Sequence, residues 1–123
     1  MSHLLAVCID CDDAWPLAHW WAETLGARVR DYTEEDLAKL RALGVDRIED
    51  DPYVAVDPID GDGPVFWFCE VPEAKRVKNR VHVDVVGDVD ELVARGAAVL
   101  DRRPDWTVMA DPEGNEFCAF PAG

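Results

Sequence analysis

His82 and Asp84 are the two side chains in this sequence best suited to proton chemistry. They lie two residues apart in Arg80-Val81-His82-Val83-Asp84-Val85-Val86, where polar and apolar residues alternate with the period of a β-strand. On an extended strand, Arg80, His82 and Asp84 share one face, and Val81, Val83 and Val85 share the other. If the valines pack beneath helices, the imidazole and the carboxylate look into whatever hollow the opposite face encloses. An imidazole beside a carboxylate can serve there as a general base. The plainer reading is a hydrogen-bonded polar pair with no catalytic duty, and the sequence leaves both open.

Further candidates surround this pair. Cys118 and Glu116 share a face of the strand expected over Glu116 to Phe120, about 7 Å apart along it. Trp67 and Trp106 offer aromatic surfaces on which a flat ligand could stack, although ordinary sheet packing explains them as well. Trp21 falls on the apolar stripe of a helix and reads as core. The phenylalanines at 66, 68, 117 and 120 are divided between sheet faces that the sequence does not assign. His19 on the first helix reads as structural, and His3 at the terminus as unengaged. Lys75, Arg76, Lys78 and Arg80 form the densest basic run. It suits a ligand carboxylate or phosphate, or offsets the acidic surface at a subunit contact.

Cys8 and Cys11 have a C-x-x-C spacing, but an offset of three on a strand sends the two thiols to opposite faces. All four cysteines lie in or beside apolar, strand-like runs, where a reduced thiol behaves as a small hydrophobe.

The elements that must position these residues follow from periodicity. Leu4 to Ile9 predicts a strand. Asp12 and Asp13 then offer an N-cap for a helix reaching Leu25, with Ala14, Leu17, Ala18, Trp21 and Leu25 on one face and Gly26 at its end. Ala27 to Asp31 predicts a second strand. Thr33-Glu34-Glu35-Asp36 resembles a capping box opening a helix with Leu37, Leu40 and Leu43 as its stripe. Strands are predicted over Tyr53 to Val56 and Val65 to Val71, and Pro72 to Asn79 reads as a connector. The second half repeats the plan: the valine strand, a helix over Val89 to Arg95, and strands over Ala97 to Leu100, Thr107 to Ala110 and Glu116 to Phe120. Asp111-Pro112-Glu113-Gly114-Asn115 is a turn, with Pro presetting one φ and Gly supplying a left-handed position. Leu25-Gly26-Ala27-Arg28-Val29 also matches Arg95-Gly96-Ala97-Ala98-Val99, each at a helix exit. One helix cannot cover both faces of a sheet, so each half leaves one face for a concave interior.

The totals narrow the class. At 123 residues the chain has room for one domain, and with 49% hydrophobic and 31% charged residues it is ordinary globular material. A net charge of −14 repels phosphate backbones and anionic membranes, so neither nucleic acid nor membrane is expected as a partner. No apolar run approaches the roughly 20 residues that span a bilayer. The start, Met-Ser-His, lacks the basic flank of a secretory signal, so a cytoplasmic location is expected.

Three segments carry a family likeness: Trp20-Trp21-Ala22-Glu23-Thr24-Leu25-Gly26, Lys78-Asn79-Arg80-Val81-His82-Val83-Asp84, and Asp111-Pro112-Glu113-Gly114-Asn115-Glu116-Phe117-Cys118. With the duplicated plan, they resemble the vicinal oxygen chelate superfamily, and more narrowly its glyoxalase-like branch. The resemblance implies an α+β fold of two βαβββ modules, about 1–72 and 80–123 with a connector at 73–79. It implies a curved mixed sheet around a ligand cup with helices outside, and a homodimer.

In catalytic relatives a divalent metal sits in the cup, held by His, Gln or Glu from first and last strands. Carried over, these positions fall on His82, on Cys118, near Ala6, and within Trp67 to Cys69. A hard ion wants oxygen and imidazole donors that this set does not provide, and a catalytic zinc site needs at least three protein ligands. The expectation is therefore a small-molecule binding protein with no metal cofactor, its cup lined by His82, Asp84, Cys118, Trp67 and Trp106, with Glu116 and Arg80 nearby. The alternatives are a metal-dependent lyase, isomerase or dioxygenase centred on His82, and a non-catalytic interaction module acting through acidic surface.

Overall fold

The computed structural model describes residues 1–122. Its contacts divide the chain into two compact units, Met1–Pro72 and the stretch from Glu73 onward. Each unit has one four-stranded mixed sheet, so the fold is α+β, with a βαβββ order in the second unit and the same order in the first apart from a helix inserted between its second and third strands.

In the first unit, β1 (Ala6–Cys11), β2 (Arg28–Val29), β3 (Tyr53–Asp57) and β4 (Val65–Glu70) are ordered β1-β4-β3-β2. β1 runs parallel to β4, and the other pairs are antiparallel. Helix α1 (Ala14–Leu25) buries Ala14, Leu17, Ala18, Trp20, Trp21 and Ala22. Trp20 thus joins the core beyond the expected stripe, its ring edge-on to Trp21 at 5.0 Å. Leu25 stays partly exposed. Asp13 is the N-cap residue, but its side chain makes no capping bond. Glu70 instead reaches over from β4, its Oε2 accepting from the Ala14 N–H at 3.0 Å. Helix α2 (Glu34–Ala42) has the expected capping box, with Thr33 Oγ1 accepting from Asp36 N–H and Asp36 accepting from Thr33 N–H. Of its leucine stripe, Leu40 is buried, Leu37 is half-buried and Leu43 is 69% exposed.

In the second unit, β5 (Asp84–Val86), β6 (Ala98–Arg102), β7 (Thr107–Ala110) and β8 (Glu116–Phe120) are ordered β5-β8-β7-β6, with α3 (Val89–Ala94) between β5 and β6. Val85, Thr107, Met109, Phe117 and Ala119 point to one face and are buried. Leu92 of α3 covers that face so closely that a Cβ on Gly87 would lie 3.2 Å from its Cδ1.

The strand expected over Ala97 to Leu100 runs from Ala98 to Arg102, and three others depart in ways that bear on the site. The first starts at Ala6, because β4 offers pairing only from Val65, and Leu4 and Leu5 are exposed. The second keeps only Arg28 and Val29 as strand, although Arg30 N–H still donates to Ala55 O. The valine strand keeps only Asp84–Val86. Its first four residues are irregular and Val81 is 79% exposed, so Arg80 is not on a strand face with His82 and Asp84. Upstream of β5 the Glu116 carboxylate of β8 accepts from Asn79 N–H, and Val83 O accepts from Cys118 N–H at 3.1 Å. No helix of the described residues is long and apolar enough to cross a membrane.

Candidate functional site

The turn before β8 sets the site. Asp111 is buried, and its Oδ1 accepts from the N–H groups of Glu113 and Asn115 at 2.9 and 3.0 Å. Gly114, at φ 89°, donates its N–H to Asp111 O at 2.8 Å. This closed turn delivers β8 with Phe117 and Ala119 toward α3, and Glu116, Cys118 and Phe120 on the opposite, open face.

Register then gathers the chemistry. Asp84 of β5 and Val108 of β7 are the strand partners of Cys118, one on each side. His82, two residues before the first residue of β5, lies against Asp84, with Nδ1 3.4 Å from Oδ1. One donor atom each from His82, Asp84 and Cys118 lies within 4.8 Å of the others. Cys118 is 8% exposed, whereas the side chains of His82 and Asp84 are 41% and 56% exposed. The cluster therefore has a buried thiol floor and two solvent-facing polar groups. Burial pushes the Cys118 thiol up from its ordinary value, the charge and hydrogen bond of Asp84 push the same way, and Lys78 opposes them.

Glu116 is engaged elsewhere. Its Oε1 accepts from Asn79 N–H at 2.5 Å and its Oε2 pairs with Lys75 Nζ at 2.9 Å. Burial alone would raise its carboxyl. The Asn79 and Lys75 hydrogen bonds and the charges of Lys75 and Lys78 outweigh that and hold it below its ordinary value. It ties the connector to β8, a role the sequence did not suggest. Arg80 is exposed in the irregular stretch that follows. Trp106 stacks on Phe120, with centroids 6.0 Å apart and planes at 22°, at the far end of the same open face.

Trp67 belongs to the first unit, on the face opposite α1. The Arg30 guanidinium lies 5.3 Å above its ring and is itself held by Asp57 through two bonds of 2.8 Å. A bidentate clamp of this kind fixes Arg30 as well as Trp67. Neither Arg30 nor Asp57 stood out in the sequence, because the pair is 27 residues apart. Cys8, exposed, and Cys69 share that face, while Cys11 is buried on the other. Phe66 and Phe68 point the same way as Cys11, Phe68 being fully buried. The second unit also has an open hollow of about 540 Å³ between the start of α3 and the residues around Arg103 and Trp106, which includes none of His82, Asp84 and Cys118.

The two registers settle which residues are equivalent in the repeat. Cys8 pairs with Trp67 in parallel as Asp84 pairs with Cys118. Setting Ile9 on Val85, each facing the helix side, puts Ala6 on His82 and Trp67 on Cys118. The first unit's counterparts of His82, Asp84 and Cys118 are thus a methyl, the thiol of Cys8 and an indole.

These features define a βαβββ-repeat protein of the vicinal oxygen chelate superfamily. A family model for the glyoxalase-like domain matches residues 6–120, and the chain belongs to that family. Among solved structures, a glyoxalase/bleomycin resistance protein/dioxygenase family enzyme from Burkholderia phytofirmans aligns at 17% identity with TM-score 0.64, over 98% of each chain. A fosfomycin resistance protein, FosX, from Listeria monocytogenes aligns at 12% identity and TM-score 0.64, over 100% of this chain and 93% of its own. A superfamily member from Sphaerobacter thermophilus aligns at 16% identity and TM-score 0.61, over 99% and 98%. At such identities the likeness concerns the fold. No curated protein sequence matches the chain.

The hard divalent ion that the family implies does not fit these residues. Ala6 and Trp67 offer no donor, and the last-strand position is a thiol whose proton is held on by burial and by Asp84. Magnesium and manganese prefer oxygen-rich shells, and the cluster supplies one carboxylate, one imidazole and one sulfur.

Proposed function

We propose that this chain binds a small molecule on the open sheet face of its second unit, and does so without the hard divalent ion of catalytic relatives. His82 and Asp84 form the polar rim of the site, Cys118 its floor, and Trp106 an aromatic edge. One observation carries this reading: His82, Asp84 and Cys118 converge within 4.8 Å on a face that α3 leaves uncovered. A fosfomycin resistance protein is among the fold's neighbours, which supports a small molecule as the kind of partner such a fold takes. The net charge of −14 favours a neutral or cationic ligand over an anion. His82, paired with a carboxylate and open to solvent, can exchange a proton with a bound ligand at its second ring nitrogen.

The test is a thermal-shift screen of small aromatic and cationic compounds at millimolar concentration, on protein stripped of metal and kept in chelator. A ligand at 100 times its Kd stabilises by about 2.7 kcal/mol, a shift of several degrees for a domain of this size. Stabilisation by at least one chemical class, lost in His82→Ala, is expected. Silence across the screen, or stabilisation that His82→Ala leaves untouched, contradicts the proposal.

A further inference from the structure

We infer that the hollow at the α3 side of the second sheet is a binding site for a free amino acid, held by both its carboxylate and its ammonium. The hollow includes none of His82, Asp84 and Cys118 and lies apart from the open face proposed above. Either reading can therefore fail while the other stands.

The hollow has room for such a ligand and a polar floor to meet it. Its volume of about 540 Å³ falls in the range of small-molecule sites. Residues 86–90 at the β5–α3 junction, 102–107 at the β6–β7 hairpin and the end of β8 form its walls. Thr107 shares the α3 side of the sheet with its strand partner Ala119 and is only 8% exposed. Among the described residues its hydroxyl has no hydrogen-bond partner, and its oxygen keeps access to the hollow. A hydroxyl so placed is costly unless something entering the hollow bonds to it.

A bulge in β6 sets a cation beside that hydroxyl. Val99 pairs with Met109 but Asp101 pairs with Val108, so Leu100 is the extra residue. In unbroken pairing Asp101 would stand opposite Thr107. The bulge puts Arg102 there instead. Residues directly opposite in an antiparallel ladder share a face, so guanidinium and hydroxyl rise on the same side. Together they are donors suited to one carboxylate.

Charges already engaged narrow the ligand further. Arg103 Nε is held by Asp101 Oδ2 at 2.9 Å, and Asp88 Oδ1 accepts from the Asp90 N–H at the start of α3. Among the described residues, the side chains of Arg102, Asp90 and Asp105 on this hollow have no partner. One guanidinium against two carboxylates, in a chain of net charge −14, disfavours a simple anion. A zwitterion answers both signs, with its carboxylate on Arg102 and Thr107 and its ammonium toward Asp90 and Asp105. Val89, Pro104 and Pro121 offer apolar wall for its side chain.

Titration of the protein with single L-amino acids, followed by two-dimensional amide NMR, tests the site. At least one amino acid is expected to shift Asp90, Arg102 and Thr107 along one saturating curve at millimolar concentration. Its analogues lacking the ammonium or the carboxylate should bind at least about tenfold more weakly, and Arg102→Ala should lose as much. Thr107→Val should weaken binding without lowering the urea midpoint of the free protein, because it removes an unpartnered hydroxyl and keeps the shape. His82→Ala, which disables the open face, should leave amino-acid binding as it stands. No saturating shift with any amino acid overturns the inference. So does binding that survives Arg102→Ala, that the simple amine or carboxylate matches, or that His82→Ala abolishes. A lowered midpoint in Thr107→Val would show the hydroxyl already spent within the fold, and overturns it too.

Discussion

Cys118 is the residue whose chemistry the fold alters most. Burial raises its thiol pKa first, and the Asp84 carboxylate adds to that through charge and a hydrogen bond. An acid whose folded pKa is raised lends stability in full below its unfolded value, near 8.5 for a thiol, and loses it as pH climbs through the folded value. Reactivity follows the same order, since the thiolate is the nucleophile. In Asp84→Asn the charge disappears while the burial stays. The pH at which Cys118 begins to react with iodoacetamide, followed by mass spectrometry, is therefore expected to fall while remaining above that of an unfolded thiol. An unchanged profile would mean that Asp84 does not govern the thiol. Cys8, exposed in the same protein, serves as an internal reference.

At the scale of elements, local signals were legible in the sequence and remote ones were not. β7 and β8 lie where their apolar runs place them, and the Asp111–Asn115 turn forms as its Pro and Gly require. The α2 capping box also follows from residues three apart. The α1 cap shows the contrary case. Two aspartates stand ready before the helix, yet the acceptor for Ala14 N–H is Glu70, 56 residues away. Glu70→Ala is thus expected to cost about 1 kcal/mol of stability in urea unfolding. An unchanged unfolding midpoint would show that Glu70 does not cap the helix. The valine strand is a second contrary case: alternation from Arg80 to Val86 fits a seven-residue strand, but only Asp84–Val86 pairs in the sheet. The candidate site was partly legible. Alternation put Asp84 opposite Val85, and spacing put Cys118 and Glu116 on one face. Only the fold reveals that Glu116 is spent on Lys75 and Asn79, and that Trp67 lies under Arg30 in the other unit.

For the molecule as a whole, duplication explains both what is present and what is missing. Each unit builds one sheet with one helix-covered face, and the shared register makes Ala6 and Trp67 the counterparts of His82 and Cys118. The imidazole–carboxylate–thiol cluster thereby occurs in one repeat, while the matching face of the other presents Cys8 beside an indole braced by an Arg30–Asp57 clamp. The central expectation for this molecule is that small molecules dock on the second unit's open face. The most direct measurement is a two-dimensional amide and imidazole NMR titration of metal-free protein with a compound that stabilises it. Resonances of His82, Asp84, Val108 and Cys118 are predicted to shift together along one saturating curve. Shifts confined to the hollow around Asp88 and Arg103, with the His82 ring signals unmoved, would contradict it.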